Sequence, residues 1–278
     1  MARSLWRWFA EKWVFLLGLL LLGYLFVPIA VVLLLSFNQP GSRNTTYVLD
    51  FGDLHFTLHN WTDMCGAAGL CDSLQRSIVI GFCATVLSTI LGTLISFALV
   101  RYRFMGRGAT NTLIFLPMAT PEIVMGTSLL TLFIGTKLPL GFLTILIAHV
   151  MFCISFVVVT VKARLAGLDP RLQEAAMDLY ATPWQAFRLV ILPLVMPGIV
   201  AAALLAFSLS FDDFIITNFV TGTSGYDTFP MFIWGSNLRG IPPQVNAVAS
   251  AMFLISFAFV IAGQLRTRRR SARRAATS

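Results

Sequence analysis

Apolar residues in this chain fall in long unbroken blocks, and the polar residues gather between the blocks. Six blocks, at about 13–37, 77–100, 111–134, 141–161, 194–219 and 246–264, are long enough to cross a hydrocarbon core ~30 Å thick, which takes about 20 helical residues. A backbone in lipid must satisfy its own polar groups, so uninterrupted apolar blocks of this length predict helices. The pattern predicts an all-α membrane protein with six transmembrane helices. No low-complexity linker separates them, and the chain is read as one membrane domain, 1–278.

Composition agrees with the pattern. Of 278 residues 57% are hydrophobic and 12% charged, with a mean hydropathy of +0.81. A soluble domain carries roughly 25% charged residues, so a water-soluble enzyme is excluded. The net charge of +8 would suit nucleic acid if it lined a groove, but the basic residues sit at the ends of apolar blocks, where they mark topology. With both termini cytoplasmic, the inside segments hold Arg3, Arg7 and Lys12, Arg101, Arg103 and Arg107, Lys162, Arg164, Arg171 and Arg188, and the tail arginines between 266 and 274. These are sixteen of the twenty Lys and Arg residues; Arg43, Arg76, Lys137 and Arg239 remain outside. Basic residues resist translocation, so both ends are expected in the cytoplasm. The first block is too long for a signal-peptide core and is expected to persist as a membrane helix. The basic tail, 265–278, reads as a topology anchor with a disordered end that can also meet anionic lipid.

The first outer loop holds Cys65 and Cys71 in CGAAGLC. That compartment permits oxidation and the short glycine-containing loop can close as a disulfide, but spacing alone leaves the bridge open. Cys83 and Cys153 fall within spans as small packing residues. His55 and His59 lack the spacing of a metal site and read as solvated; the sequons at Asn44 and Asn60 decide nothing.

The segment 162–193 is more than a connection. Asp169 before Pro170 is an N-cap followed by proline at the first helical position. Thr182, Pro183 and Gln185 repeat the device with a capping box. Two short helices with a turn near Tyr180 and Ala181 are therefore expected, and Pro193 and Pro197 fall where the next span begins and proline is tolerated. Trp184, Phe187 and Leu189 give the second helix apolar projections, while Ala175 and Ala176 allow close approach. Such a knob can pack on its own helices or seat in a partner's groove and move the spans beside it.

This segment resembles the EAA loop of binding-protein-dependent ABC importer permeases. Glu174, Ala175 and Ala176 stand at the Glu-Ala-Ala positions, Tyr180 at the glycine position, Val190 at the isoleucine position, and Leu192 with Pro193 at Leu-Pro. Tyrosine departs from that pattern, since glycine there permits positive φ. RYRFMGRG, PEIVMGTSLL, FVVVTVKARLAGLDPRLQEAA, SLSFDDFIITNFVTG and PPQVNAVAS are similar to the second permease of spermidine/putrescine importers. The resemblance implies a MetI-like, type I importer fold, a non-catalytic subunit, and coupling through Glu174, Ala175, Ala176, Asp178, Tyr180, Ala181, Trp184, Phe187, Leu192 and Pro193. It further implies three partners: a cytoplasmic ATPase dimer carrying ATP and Mg, a second permease and an external solute-binding protein. This chain itself is expected to hold no cofactor and no metal.

Glu122 falls in the third span and Asp212 and Asp213 in the fifth. An unpaired acid at a helix centre costs about 2.5–3.5 kcal/mol, so each should face a cavity, a partner or the surface. From Leu194 to Asp212 a helix climbs roughly 27 Å, which puts the aspartates in the outer half of the bilayer. Successive residues differ by about 100° in direction, so one aspartate is expected to face a pathway while the other caps, pairs or faces the neighbouring subunit. Phe211 and Phe214 beside them suit an organic ammonium through charge and cation-π attraction. The alternative for the acids is a hydrogen-bonding role at a permease interface. His149 is expected to bond a neighbouring helix.

No G-x-x-x-x-G-K-[ST] loop is present, so ATP chemistry must lie elsewhere, and no H-E-x-x-H or G-x-S-x-G marks an intramembrane enzyme. An importer permease for polyamines is the leading reading. Alternatives are a permease for another small cationic or organic solute and an ion-gradient-driven carrier, which would leave the cytoplasmic hairpin without a role.

Overall fold

The protein is represented by a computed structural model whose described backbone covers residues 2–38, 56–169, 171–223 and 225–276, with side chains from 12 onward except 238–239 and 266–276. Arg43, Asn44, His55 and Pro170 lie outside the described residues. The helices are α1 (Ala2–Leu35), α2 (His59–Thr62), α3 (Leu70–Arg101), α4 (Arg107–Ala119), α5 (Glu122–Gly135), α6 (Phe142–Ala166), α7 (Arg171–Asp178) and α8 (Pro183–Ala186). A π turn (Phe187–Ile191) leads into α9 (Leu192–Asp212), followed by α10 (Ile215–Val220), α11 (Phe229–Arg239) and α12 (Pro243–Ala276). Among the described residues, five helical runs are long and apolar enough to cross a membrane, or six if the bent pair α4 and α5 counts as one crossing.

Two spans depart from the sequence expectation. The block 111–134 is not one helix: α4 and α5 meet at 108°. Pro121 disfavours helical geometry in the residue before it, and Thr120 turns extended at φ −85° and ψ 131°. Thr120 satisfies the broken end by sending both its N–H (3.0 Å) and its Oγ1 (2.7 Å) to the Leu116 carbonyl. The block 194–219 ends early, because Asp213 is extended (φ −65°, ψ 122°) and α10 begins afresh at Ile215. Pro193 is in the first turn of α9, as expected, but α9 continues a helical run that begins at Pro183. Proline cannot donate and its ring crowds the carbonyl four residues back; the π turn just before it, in which Leu192 N–H reaches the Phe187 carbonyl, widens the ladder there.

The described chain forms two compact units, residues Met1–Cys71 with Ile233–Ser278, and residues Asp72–Phe232. In the first, the chain's two long terminal helices α1 and α12 pack together, and α2 packs on α12. Asn60 is buried and caps the end of α1, its Nδ2 donating to the carbonyls of Ser36 (3.0 Å) and Asn38 (2.9 Å). Trp61 donates to Ser36 Oγ (3.1 Å) and stacks on Phe37, so the Asn60 sequon is internal structure. Cys65 and Cys71 are disulfide-bonded with Cα atoms 5.4 Å apart. The basic run 266–274 continues α12 to Ala276 instead of forming an irregular tail, as arginine and alanine favour helix and no proline interrupts them.

The second unit is built around α6, which is flanked by α9, α4 and α10. Without a hydrophobic force between helices in lipid, close approach comes from small residues. Ala202 and Ala206 of α9 are fully buried, and Cys153 Sγ meets the Ala206 carbonyl at 3.5 Å. A Cβ on Gly92 would come within 2.6 Å of Val157, and one on Gly126 within 2.6 Å of Phe219, so α3 lies against α6 and α10 against α5 only because those side chains are absent. Lys162 donates from α6 to Asn111 Oδ1 of α4, and Thr144 Oγ1 donates to the Val220 carbonyl at 2.8 Å.

Candidate functional site

The hairpin expected between 162 and 193 exists, and local chemistry explains each turn of it. Asp169 Oδ1 accepts from the Arg171 N–H at 2.9 Å and opens α7. α7 closes as a Schellman motif: Tyr180 N–H donates to the Met177 carbonyl (2.9 Å) and Ala181 N–H to the Ala176 carbonyl (3.2 Å). That motif requires a left-handed residue, and Tyr180 supplies it at φ 62°. Tyrosine thus keeps the turn that glycine makes freely, at a strain of roughly 1–2 kcal/mol. Thr182 then caps α8, accepting from Gln185 N–H at 3.3 Å while its own N–H donates to Gln185 Oε1 at 2.8 Å.

The hairpin is fastened from beneath. Ala186 is fully buried, and Phe187 meets Phe97 of α3 edge to face at 5.1 Å. Its tip is bare, with Leu179 82% and Tyr180 97% exposed. Glu174, Ala175 and Asp178 are exposed on α7, and Trp184 is exposed on α8 while stacking on Phe187 at 5.5 Å. Leu192 and Pro193 follow the π turn as the first residues of α9, so the hairpin runs into α9 without a break. A rigid apolar tip carried on a continuous membrane helix is a shape that can dock and pull.

The acidic residues divide by environment. Asp213 is buried and fully engaged: its Oδ2 accepts from the Thr217 N–H and from Thr217 Oγ1, both at 2.8 Å, and its Oδ1 from the Ile216 N–H at 3.4 Å. His149 of α6 stands over it, Nε2 3.3 Å from Asp213 Oδ2 and 2.9 Å from Thr217 Oγ1, Nδ1 2.7 Å from Ser210 Oγ. These contacts tie the end of α9, the start of α10 and the middle of α6 into one knot. Asp212, one residue earlier, is exposed. Glu122 is exposed at the first turn of α5. Phe211 stacks on Phe207 (5.8 Å) and lies against Phe229 (6.3 Å); Phe214 is half-buried. One carboxylate of the pair is thus open, next in sequence to Phe211, and the other is closed by its own hydrogen bonds. Among the described residues no three His, Cys, Asp or Glu side chains gather as a metal site.

Sequence reasoning missed a cleft of about 750 Å³ between the hairpin and the end of α3, lined by Leu94, Phe97, Arg101 and Tyr102 on one side and Glu174 and Trp184 on the other. The signal was present in part, as Arg101 and Tyr102 end a span and Glu174 follows a capped helix start, but nothing local says that they meet.

The comparisons with known proteins fit this geometry. Residues 77–271 match the model of the binding-protein-dependent transport system inner membrane component family. The spermidine/putrescine transport system permease protein PotC of Haemophilus influenzae is 39% identical over 89% of this chain and 93% of its own length. The putrescine transport system permease protein PotI of Escherichia coli K12 is 38% identical over 84% and 83%. Among solved structures, a bacterial ABC transporter involved in the import of the acidic polysaccharide alginate superposes with a TM-score of 0.67 at 14% identity, over 96% of this chain and 99% of that one, a likeness of fold. The chain therefore belongs to the binding-protein-dependent transport system inner membrane component family, the transmembrane subunits of ABC importers.

Proposed function

We propose that this chain forms half of a polyamine pathway through the inner membrane, beside a second permease, with both termini in the cytoplasm. A cytoplasmic ATPase dimer grips the tip of the hairpin, and a solute-binding protein delivers cargo from the other side. The observation that carries the coupling role is the hairpin itself: a capped, buttressed elbow with Leu179 and Tyr180 bare at its tip and a continuous helical run from Pro183 to Asp212 behind it. The names of the relatives support a di- or polyamine cargo. An exposed Asp212 next to Phe211 suits the same chemistry, because a carboxylate and ring faces together attract an organic ammonium.

ATP-driven closure of the ATPase dimer moves the elbows, and the helix bundle alternates between access from the two sides. ATP and Mg stay on the partner. Glu174→Arg is expected to abolish ATP-driven uptake in the reconstituted assembly while ATP hydrolysis persists. Undiminished uptake in that variant overturns docking through this hairpin.

A further inference from the structure

We propose that the cleft behind the hairpin is a binding site for one membrane phospholipid with a primary-amine headgroup, held as a wedge between α3 and the elbow. The placement rests on the coupling reading above; the chemistry rests on the cleft's own lining. On α3 the cleft runs from Leu94 to Arg101, roughly 10 Å along the helix axis. Leu94 is 62% exposed within a membrane span, so the floor opens toward lipid, and Phe97 and Ile191 complete an apolar trough. At the rim stand Tyr102 and Trp184, both exposed, the two residue types that settle at the headgroup level of a bilayer.

The rim also carries one charge of each sign. Arg101 and Glu174 line the same cleft, and neither has an ionic partner among the described residues. A guanidinium matches a phosphate in a two-pronged hydrogen bond, and a carboxylate matches an ammonium that can donate to it. An ethanolamine phospholipid presents both groups on one headgroup, phosphate to Arg101 and ammonium to Glu174, while an acyl chain fills the trough of Leu94, Phe97 and Ile191. A glycerol headgroup satisfies Arg101 alone and leaves Glu174 facing a net negative lipid. A choline headgroup has no N–H to donate to the carboxylate. A lipid seated there fills the gap between α3 and the elbow and stiffens the joint through which the elbow is moved.

The test is lipid retention by the full-length chain, purified without its ATPase and titrated with phosphatidylethanolamine, phosphatidylcholine or phosphatidylglycerol, the bound copies being counted by native mass spectrometry. One tightly held phosphatidylethanolamine is expected, preferred over the other two by about tenfold, the worth of one charge-assisted hydrogen bond. Arg101→Gln and Ala98→Trp, the latter filling the trough, are each expected to lose it. Glu174→Lys is expected to transfer the preference to phosphatidylglycerol, a gain that a misfolded chain would not show. Equal retention of the three lipids, or an unchanged preference in Glu174→Lys, overturns the proposal. Because the ATPase is absent, either outcome is independent of whether Glu174→Arg uncouples the assembly.

Discussion

Asp212 and Asp213 are chemically identical neighbours, one exposed and one buried in a closed knot, and the proposed function gives them different jobs, so removing each in turn is a sharp test. Asp213→Ala strands the buried Thr217 N–H, which the carboxylate holds at 2.8 Å, and removes the stronger of the two acceptors available to Thr217 Oγ1. That hydroxyl keeps the Asp213 carbonyl at 3.3 Å, and His149 keeps Ser210 and Thr217, so only part of the knot is left open. A stranded buried donor costs about 1–3 kcal/mol, which with the lost carboxylate contacts amounts to about 3 kcal/mol. At roughly 2–4 °C per kcal/mol, the scale of soluble domains of comparable length, the melting midpoint should fall by about 6–12 °C. Asp212→Ala touches an exposed side chain and should alter stability by no more than about 0.5 kcal/mol. Thermal unfolding of the purified chain in detergent gives the first comparison and polyamine uptake by the assembly gives the second. Asp212→Ala should unfold like the parent and transport poorly. Equal melting midpoints for the two variants, or full uptake with Asp212→Ala, would refute the division of labour.

Three further outcomes follow from the same geometry. Tyr180→Gly removes the left-handed strain and should raise the thermal midpoint by a few degrees, on the order of 1 kcal/mol, while weakening co-purification with the ATPase because the bare ring is lost; a lower midpoint would contradict the strain argument. Gly126→Val pushes a side chain into Phe219 and should part α10 from α5, costing about 1–3 kcal/mol by overpacking, with an unchanged midpoint counting against that contact. Under non-reducing conditions a thiol reagent should leave Cys65 and Cys71 unmodified, and labelling of both would exclude the bridge.

What could be read from the sequence and what could not follow from the range of the forces involved. The hairpin was legible because its devices act within three or four residues: Asp169 on Arg171, Thr182 on Gln185, and the tyrosine at the turn. The break at Thr120 and Pro121 was equally local, yet the length of the apolar block concealed it, since hydropathy over 111–134 counts residues and ignores the φ/ψ limits that proline sets on its predecessor. Asp213 is held by Ile216 and Thr217 close by in sequence and also by His149, more than sixty residues away on α6, and this second contact has no local signal. The cleft at Arg101 and Glu174 depends likewise on α3 and α7 meeting.

The two sites are parts of one element. A helical run of 30 residues joins Pro183 at the base of the elbow to Asp212, a span of roughly 45 Å at the helical rise, and it is interrupted only by the π turn at Phe187–Ile191. The elbow end is fixed by the buried Ala186 and by Phe187 on Phe97; the far end is fixed by Ser210 and Asp213 on His149. Between these two fixed ends the widened π turn, with no N–H at Pro193 to restore the regular ladder, is the place along the run where bending costs least. Under the proposed coupling, movement of the elbow reaches the carboxylate end through this continuous backbone. Asp213, closed by Thr217 and His149, fastens the end of that run, and leaves Asp212, its neighbour in sequence, exposed.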